Sequence, residues 1–173
     1  MWITVEVKEG FEIPLYENWL DKKRNSLGGA LFSSITDIFI PCLKSEFLSC
    51  DGGTEIHRKL MFPGYIFIDV NNNEVIKNIS SQEGVTSILS KNRNHPYYLE
   101  AKEIDSMKNK VKESFKKLYS NLEGCKRVRI LNGMCHNLEA DIVRLEEEWV
   151  EVEVKLMSIK KVIRFPLWDI EKL

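Results

Sequence analysis

Residues 59–70 constrain the fold of this 173-residue chain more than any other segment. The segment is predicted to be a β-strand with an aliphatic and an aromatic face, because successive side chains of a strand point to opposite sides. The aliphatic face is Ile66, Ile68 and Val70, and the aromatic face is Tyr65 and Phe67. A half-buried strand should carry polar residues on its outer face. This strand is therefore either buried on both sides or carries an aromatic patch for a partner.

The charge of the chain is nearly balanced, at −1. This excludes a protein that coats nucleic acid over its whole surface, so any such contact must be local. The opening residues, Met1-Trp2-Ile3-Thr4-Val5-Glu6, lack the basic region and long apolar run of a secretory signal. No stretch approaches the roughly 20 apolar residues of a membrane-spanning helix. We therefore expect a cytoplasmic protein without membrane contact.

The cysteines and histidines do not form a recognisable catalytic or metal-binding pattern. The four cysteines, Cys42, Cys50, Cys125 and Cys135, are far apart and are expected to be free thiols. A zinc site built from Cys42, Cys50 and His57 would lack a fourth ligand and the usual spacing. A phosphate-binding loop, a zinc-protease motif and a nucleophile elbow are all missing. We therefore predict no metal, no cofactor and no enzymatic activity. An unrecognised hydrolase remains an alternative, which mutation of single histidines or cysteines would test.

Residues 1–107 are predicted to form an α+β domain, with one sheet and helices. Pro41 closes the second strand, and Asn71-Asn72-Asn73 offers a cap for the second helix. The predicted strands are 2–7, 36–43, 59–70 and 84–89, the helices are 11–27 and 74–79, and a turn occupies 49–55.

Residues 101–120 have helix formers and neither glycine nor proline, which predicts a helix leading into a linker over 108–123. Residues 101–129 contain nine Lys and Arg against four Asp and Glu. This excess could contact nucleic acid, but a solvated helix face is the favoured interpretation.

Residues 124–173 are predicted to be a small β-barrel domain. Apolar and polar residues alternate strictly in 127–130 and 149–156, and 162–165 and 168–172 add two short strands. The alternating Val150, Val152 and Val154 would be scattered around a helix, so a stable barrel is expected rather than a switch to helices. A helical far-UV spectrum from segment 121–173 would contradict this.

The order of these motifs resembles the NusG family of transcription elongation and antitermination factors. The resemblance rests on Trp2-Ile3-Thr4-Val5, Phe39-Ile40-Pro41, Phe62-Pro63-Gly64-Tyr65-Ile66-Phe67-Ile68, Gly84-Val85, the KOW-like start Val128-Arg129-Ile130-Leu131-Asn132-Gly133, and Asp169-Ile170-Glu171-Lys172. It implies an N-terminal NGN domain, an αβ sandwich with an antiparallel sheet, followed by an SH3-like KOW β-barrel. Two departures indicate a divergent, specialised paralog of the RfaH or LoaP kind. Ala140 stands at the second KOW glycine, and residues 157–160 replace a Phe-Gly-Arg loop.

The resemblance implies that the first domain binds the RNA polymerase clamp and touches nucleic acid. The polymerase-binding candidates are Phe62, Pro63, Gly64, Tyr65 and Phe67. Their aromatic rings could instead be plain core. The candidates for binding the non-template DNA strand or a nascent RNA hairpin are Lys8, Lys22, Lys23, Arg24, Lys77 and Asn78. Glu83 counts against DNA contact beside it, because a carboxylate repels phosphate.

The resemblance also implies that the barrel recruits a small-subunit ribosomal protein or the termination factor Rho. Met157 and Ile159 are the candidates, because apolar residues in a loop need a reason for exposure. Both could instead fold back onto the barrel core. The protein is expected to be a monomer. The alternative function is an RNA-binding KOW module in ribosome assembly or translation. Nine acidic against six basic residues in 130–173 count against it.

Overall fold

The computed structural model describes residues 1–24, 34–48, 52–92 and 95–173. They divide into two compact units. The first comprises Met1–Cys42 and Leu60–Lys108, and the second comprises Leu43–Lys59 and Asn109–Leu173. One helix spans Ala101–Leu122 and so runs through residue 107, and the predicted domain boundaries after 107 and 123 stay predictions.

The elements follow one another in mixed order along the described residues. The first part contains β1 (Trp2–Val7), α1 (Glu12–Arg24), β2 (Ile35–Phe39), β3 (Cys42–Leu48), β4 (Thr54–Leu60), β5 (Tyr65–Val70), α2 (Glu74–Ser80), β6 (Val85–Ile88), β7 (Ser90–Asn92), β8 (His95–Pro96), β9 (Tyr98–Leu99) and α3 (Ala101–Leu122). The remainder contains β10 (Arg127–Ile130), β11 (Glu139–Leu145), β12 (Trp149–Leu156), β13 (Ile159–Pro166) and β14 (Ile170–Lys172), with 3-10 turns at Gly133–Cys135 and Leu167–Asp169.

The first unit contains an antiparallel sheet in the order β2-β5-β1-β6, with β9 also paired to β1. One face of this sheet packs with α1 and α2 into a single core, to which Trp19 and Ile79 contribute from the helices. The sheet residues of this core are Ile3, Val5, Val7, Ile35, Ile38, Ile66, Ile68 and Val70. The predicted combination of an antiparallel sheet with helices is confirmed here, and so is the aliphatic core face of β5.

Two long strands predicted from the sequence are each broken by a proline. The prediction of one strand over 59–70 was wrong, because β4 ends at Leu60 and β5 begins at Tyr65. Pro63 lacks the N–H that a strand needs, and Gly64 has a φ of +85°. For the strand predicted over 36–43, the closure at Pro41 is confirmed because β2 ends at Phe39, but residues 42–43 were wrongly included, since they begin the separate strand β3. The predicted end of the first helix, residues 25–27, and part of the predicted turn, 49–51, lie outside the described residues.

The second unit contains a five-stranded antiparallel sheet in the order β13-β12-β11-β10-β14. The predicted alternation of β12 is confirmed, because Val150, Val152 and Val154 are all fully buried in one core. The end of α3 joins this core through Leu122. The sequence pattern predicted no range for strand β11 of this sheet.

The arm of the β3–β4 hairpin belongs to this second unit and is hydrogen-bonded to the five-stranded sheet. Ser45 Oγ donates to the carbonyl of Glu148 at 2.8 Å. Arg164 donates to the carbonyl of Leu48 at 3.1 Å and to Glu151 at 2.6 Å. The same guanidinium lies 4.7 Å from the ring centroid of Trp149. One arginine therefore joins the hairpin arm to β12 and β13.

Candidate functional site

The aromatic face of β5 lies in a cluster that is closed by a lysine. Phe67 is only 6% exposed, and its ring lies 6.2 Å from that of Phe39 on β2. The ammonium group of Lys108 lies 5.5 Å from the ring centroid of Trp2 and 5.4 Å from that of Phe39. It also pairs with Asp37 at 3.4 Å. The position of Phe67 is therefore that of a packed residue rather than of a free anchor.

The exposed part of the predicted docking segment lies on the turn between β4 and β5. Phe62 is 43% exposed, Pro63 is exposed and Tyr65 is half-buried. The turn begins with a backbone hydrogen bond from Met61 to the carbonyl of Pro41, at 2.8 Å. An aromatic side chain held outward on an anchored turn can bury a large area against a partner at a low cost in conformational entropy.

Gly64 is held through both of its backbone polar groups. Its N–H donates to Glu12 Oε1 at 2.7 Å, and its carbonyl accepts from the N–H of Val7 at 2.8 Å. Glu12 is only 2% exposed, although it is a carboxylic acid in the first turn of α1. Sequence reasoning missed Glu12, because an acidic residue at a helix start is sufficiently explained by the helix dipole.

The nucleic-acid candidates form two groups. The residues of the first group contact or lie near the turn between α2 and β6, and those of the second group have other surroundings. Lys22 lines a groove of about 320 Å³ together with Gln82 and Glu83. The backbone N–H of Lys8 donates to Gly84 at 2.9 Å, and the carbonyl of Asn78 accepts from the side chain of Gln82 at 3.3 Å. These contacts bring Lys8, Lys22 and Asn78 to one turn.

The other cations have different surroundings. Lys23 Nζ donates to the carbonyl of Thr36 at the start of β2. Arg24 and Lys77 are exposed, at the end of α1 and on α2 respectively. Glu83 lines the same groove as Lys22, so residues of both charges border this surface.

Gly84 shapes the same groove. A Cβ atom at this position would lie 2.6 Å from Cδ1 of Phe11, and the φ of Gly84 is +87°. Both facts require glycine, because other residues rarely adopt this conformation and would clash with the ring. The strand predicted from Gly84 therefore begins one residue later, at Val85, and Gly84 belongs to the turn before it.

Met157 and Ile159 lie at the tip of the β12–β13 hairpin, where neither packs into the core. Met157 is 98% exposed and Ile159 is 71% exposed. Met157 also has a φ of +56°, a left-handed conformation that is unfavourable for a bulky residue. Met134, in the β10–β11 connection, is fully exposed as well. Strands β10 and β12 run in the same direction, so the connections that follow them lie at the same end of the sheet. The three apolar side chains therefore share that end.

Lysines flank this hairpin tip, and one of them is paired. Lys160 donates to Glu153 at 2.7 Å, and this hydrogen bond and charge raise the pKa of Lys160 above its usual value. Lys155 lies opposite Lys160 in the ladder, and Lys161 follows it. Three lysines therefore flank the exposed apolar tip, and Glu153 offsets the charge of one of them.

The structure shows no metal centre or membrane-spanning helix in the part that it describes. Across residues 1–24, 34–48, 52–92 and 95–173, no three potential metal ligands come together. Within the same ranges, no helix is both long and apolar enough to cross a membrane. Cys50, one ligand of the zinc site considered above, lies outside the described residues.

Comparison with known proteins identifies the first part of the chain. A family model described as "Transcription termination factor nusG" matches residues 1–108. The chain belongs to the NusG family. It is therefore a transcription factor of the kind that this family contains. The match includes the turn with Phe62 and all the nucleic-acid candidates, whereas Met157 and Ile159 lie beyond it.

Structures of NusG and of an Spt4:Spt5 complex are among the solved structures that match the chain. Conformation B of the MjSpt4:Spt5 complex is 15% identical, with a TM-score of 0.45, and the match covers 100% of this chain and 97% of that chain. The structure "Domain interaction in Thermotoga maritima NusG" is 17% identical with a TM-score of 0.45, and the match covers 99% and 96%. Conformation A of the MjSpt4:Spt5 complex is 15% identical with a TM-score of 0.40, covering 100% and 98%. No curated protein sequence matches the chain.

Proposed function

We propose that this chain is a transcription elongation factor that binds the RNA polymerase clamp and promotes processive elongation and antitermination. It would act in the cytoplasm as a specialised paralog of the RfaH or LoaP kind, by binding rather than by catalysis. The observation that carries the proposal is the turn holding Phe62 and Pro63. Both side chains are exposed on a backbone that is hydrogen-bonded at its start and at its end, within the segment that the family match covers.

Within the proposed docking site, exposure suggests two kinds of role. Phe62, Pro63 and Tyr65 would touch the polymerase, because each presents surface to solvent. Gly64 and the buried Phe67 would shape that surface from below. An interface in which a few aromatic anchors carry most of the binding energy is typical of protein complexes.

Nucleic acid is proposed as a second contact of the same unit. Lys8, Lys22 and Asn78 are the best-supported candidates, because their contacts bring them to one turn. Arg24 and Lys77 remain candidates through their exposure. Either the non-template DNA strand or a nascent RNA hairpin would supply the phosphates, and binding should weaken as salt rises.

The second unit is proposed to be a KOW-type barrel that recruits a small-subunit ribosomal protein or Rho. The support is the exposed and strained Met157 beside Ile159. A strained, exposed apolar residue stabilises nothing within the chain, so its position favours a role in binding.

The proposed function is tested directly with purified protein and bacterial RNA polymerase core. The protein is expected to bind the core and to shorten pauses or increase read-through of a terminator in a single-round transcription assay. Binding without an effect on elongation would remove the antitermination part of the proposal. Absence of binding, together with binding to a structured RNA, would favour the RNA-binding alternative instead.

Replacing Met157 and Ile159 with serine is expected to reduce binding of the second partner roughly tenfold or more, because two exposed apolar contacts are lost. The measurement is the affinity of full-length wild type and of the double variant for a purified ribosomal protein and for Rho. The pair Val143→Ser and Val162→Ser provides a control, since both valines are exposed on the same sheet. Equal loss in the control, or failure of wild type to bind either partner, would contradict this assignment.

A further inference from the structure

We propose that Glu12 is a positioning residue that holds the Phe62–Tyr65 turn in its docking conformation; this rests on the proposed function. Glu12 is almost completely buried, and its carboxylate accepts the N–H of Gly64 at 2.7 Å. Burying a carboxylate is costly unless it is hydrogen-bonded. The bond to Gly64 joins the first turn of α1 to the backbone directly beneath the exposed aromatic turn.

The hydrogen bonds of Gly64 fix the part of the turn with the greatest conformational freedom. The bond from its N–H to Glu12 orients the peptide plane before the glycine, and the bond from Val7 to its carbonyl orients the plane after it. Together the two bonds restrict both dihedral angles of a residue whose φ is +85°. Without Glu12 the first plane would lose its restraint, because glycine has many conformations available.

This restraint matters for docking because Pro63 and Phe62 come directly before that peptide plane. If the turn samples other conformations when free, part of the binding free energy is used to order it. If Glu12 orders the turn before binding, the protein should bind polymerase more tightly than a variant without this hydrogen bond. The carboxylate suits this role, because a hydrogen bond to a charged acceptor is stronger than one to a neutral acceptor. Its position at the start of α1 also places it near the positive end of the helix dipole.

The test compares Glu12→Gln, Glu12→Asp and Glu12→Ala in the full-length protein, with Glu17→Ala as the control on an exposed position of the same helix. Glutamine keeps an acceptor oxygen at the same reach, whereas aspartate keeps the charge but is one methylene shorter. The measurements are affinity for RNA polymerase core, hydrogen exchange and the NMR shift of the Gly64 amide, and urea unfolding.

Glu12→Gln is expected to bind polymerase within about threefold of wild type, because the glutamine oxygen can still accept the Gly64 N–H. The Gly64 amide resonance should shift, because a hydrogen bond to a neutral acceptor is weaker. Glu12→Asp and Glu12→Ala are expected to bind about tenfold more weakly and to exchange the Gly64 amide at least about tenfold faster. Glu17→Ala should match wild type in affinity for polymerase and in exchange of the Gly64 amide.

The results separate failure of this inference from failure of the proposed function. If wild type does not bind polymerase, the proposed function is wrong. If wild type binds and Glu12→Asp binds equally well, Glu12 does not position the turn. Urea unfolding gives the fraction of each variant that is unfolded under the binding conditions. If that fraction accounts for the whole loss of affinity, the role of Glu12 is purely structural and the inference is overturned. Glu12→Asp decides the matter if Glu12→Ala does not fold.

Discussion

Replacing both Phe62 and Tyr65 with alanine is expected to weaken binding to RNA polymerase core about 100-fold, or roughly 2.7 kcal/mol. Phe62 is 43% exposed and Tyr65 is half-buried, so their truncation should cost the isolated protein little stability. The substitutions should therefore reduce the affinity for polymerase rather than the stability of the free protein. The measurement is the dissociation constant of the double variant beside wild type, with circular dichroism to establish that both are folded.

The matched control removes similar exposed area elsewhere in the first unit. Leu89 and Tyr97 are exposed to about the same degree as Phe62, and alanine at both positions should leave polymerase affinity within about twofold of wild type. Unchanged binding by the Phe62 and Tyr65 variant would remove the turn from the interface. A similar loss in both double variants would show a nonspecific apolar contact.

Replacing Phe67 with alanine is expected to lower the free energy of unfolding of the first unit by about 3–4 kcal/mol. Phe67 is 6% exposed and packs beside Phe39, whose ring lies under the ammonium group of Lys108. Truncation would leave a cavity beneath that cluster. The measurement is urea unfolding followed by tryptophan fluorescence, where Trp2 and the buried Trp19 report on this unit.

Tyr65→Ala is the comparison on the same strand face, and a cost of about 1 kcal/mol is expected there because Tyr65 is only half-buried. If Phe67→Ala unfolds like wild type but binds polymerase weakly, Phe67 is an anchor that becomes exposed on binding. The two alternatives left open by the sequence, core and docking, are thereby separated residue by residue.

The sequence predicted the elements that depend on local pattern. Alternation of valines in 149–156 predicted β12 and its buried face, and the aliphatic face of β5 was confirmed in the same way. These features depend on neighbours in the chain, which periodicity and residue preference capture directly.

The break at Pro63 shows where pattern reasoning failed, whereas the predicted closure of a strand at Pro41 is confirmed by the end of β2 at Phe39. Apolar residues continue on both sides of Pro63, so periodicity alone merges the neighbouring strands β4 and β5. The missing N–H of Pro63 and the positive φ of Gly64 end the pairing, and the chain turns. The roles assigned to the candidate site residues stay predictions until the binding measurements are made.

The sequence by itself determined the family motifs and the apolar faces of the strands. Only the tertiary structure decided that Phe67 is packed rather than free, and that Lys8 and Lys22 lie at the turn between α2 and β6. It also decided that the buried Glu12 holds Gly64, 52 residues away in the chain. Such contacts join residues that are distant in sequence, and neither local preference nor periodicity carries information about them.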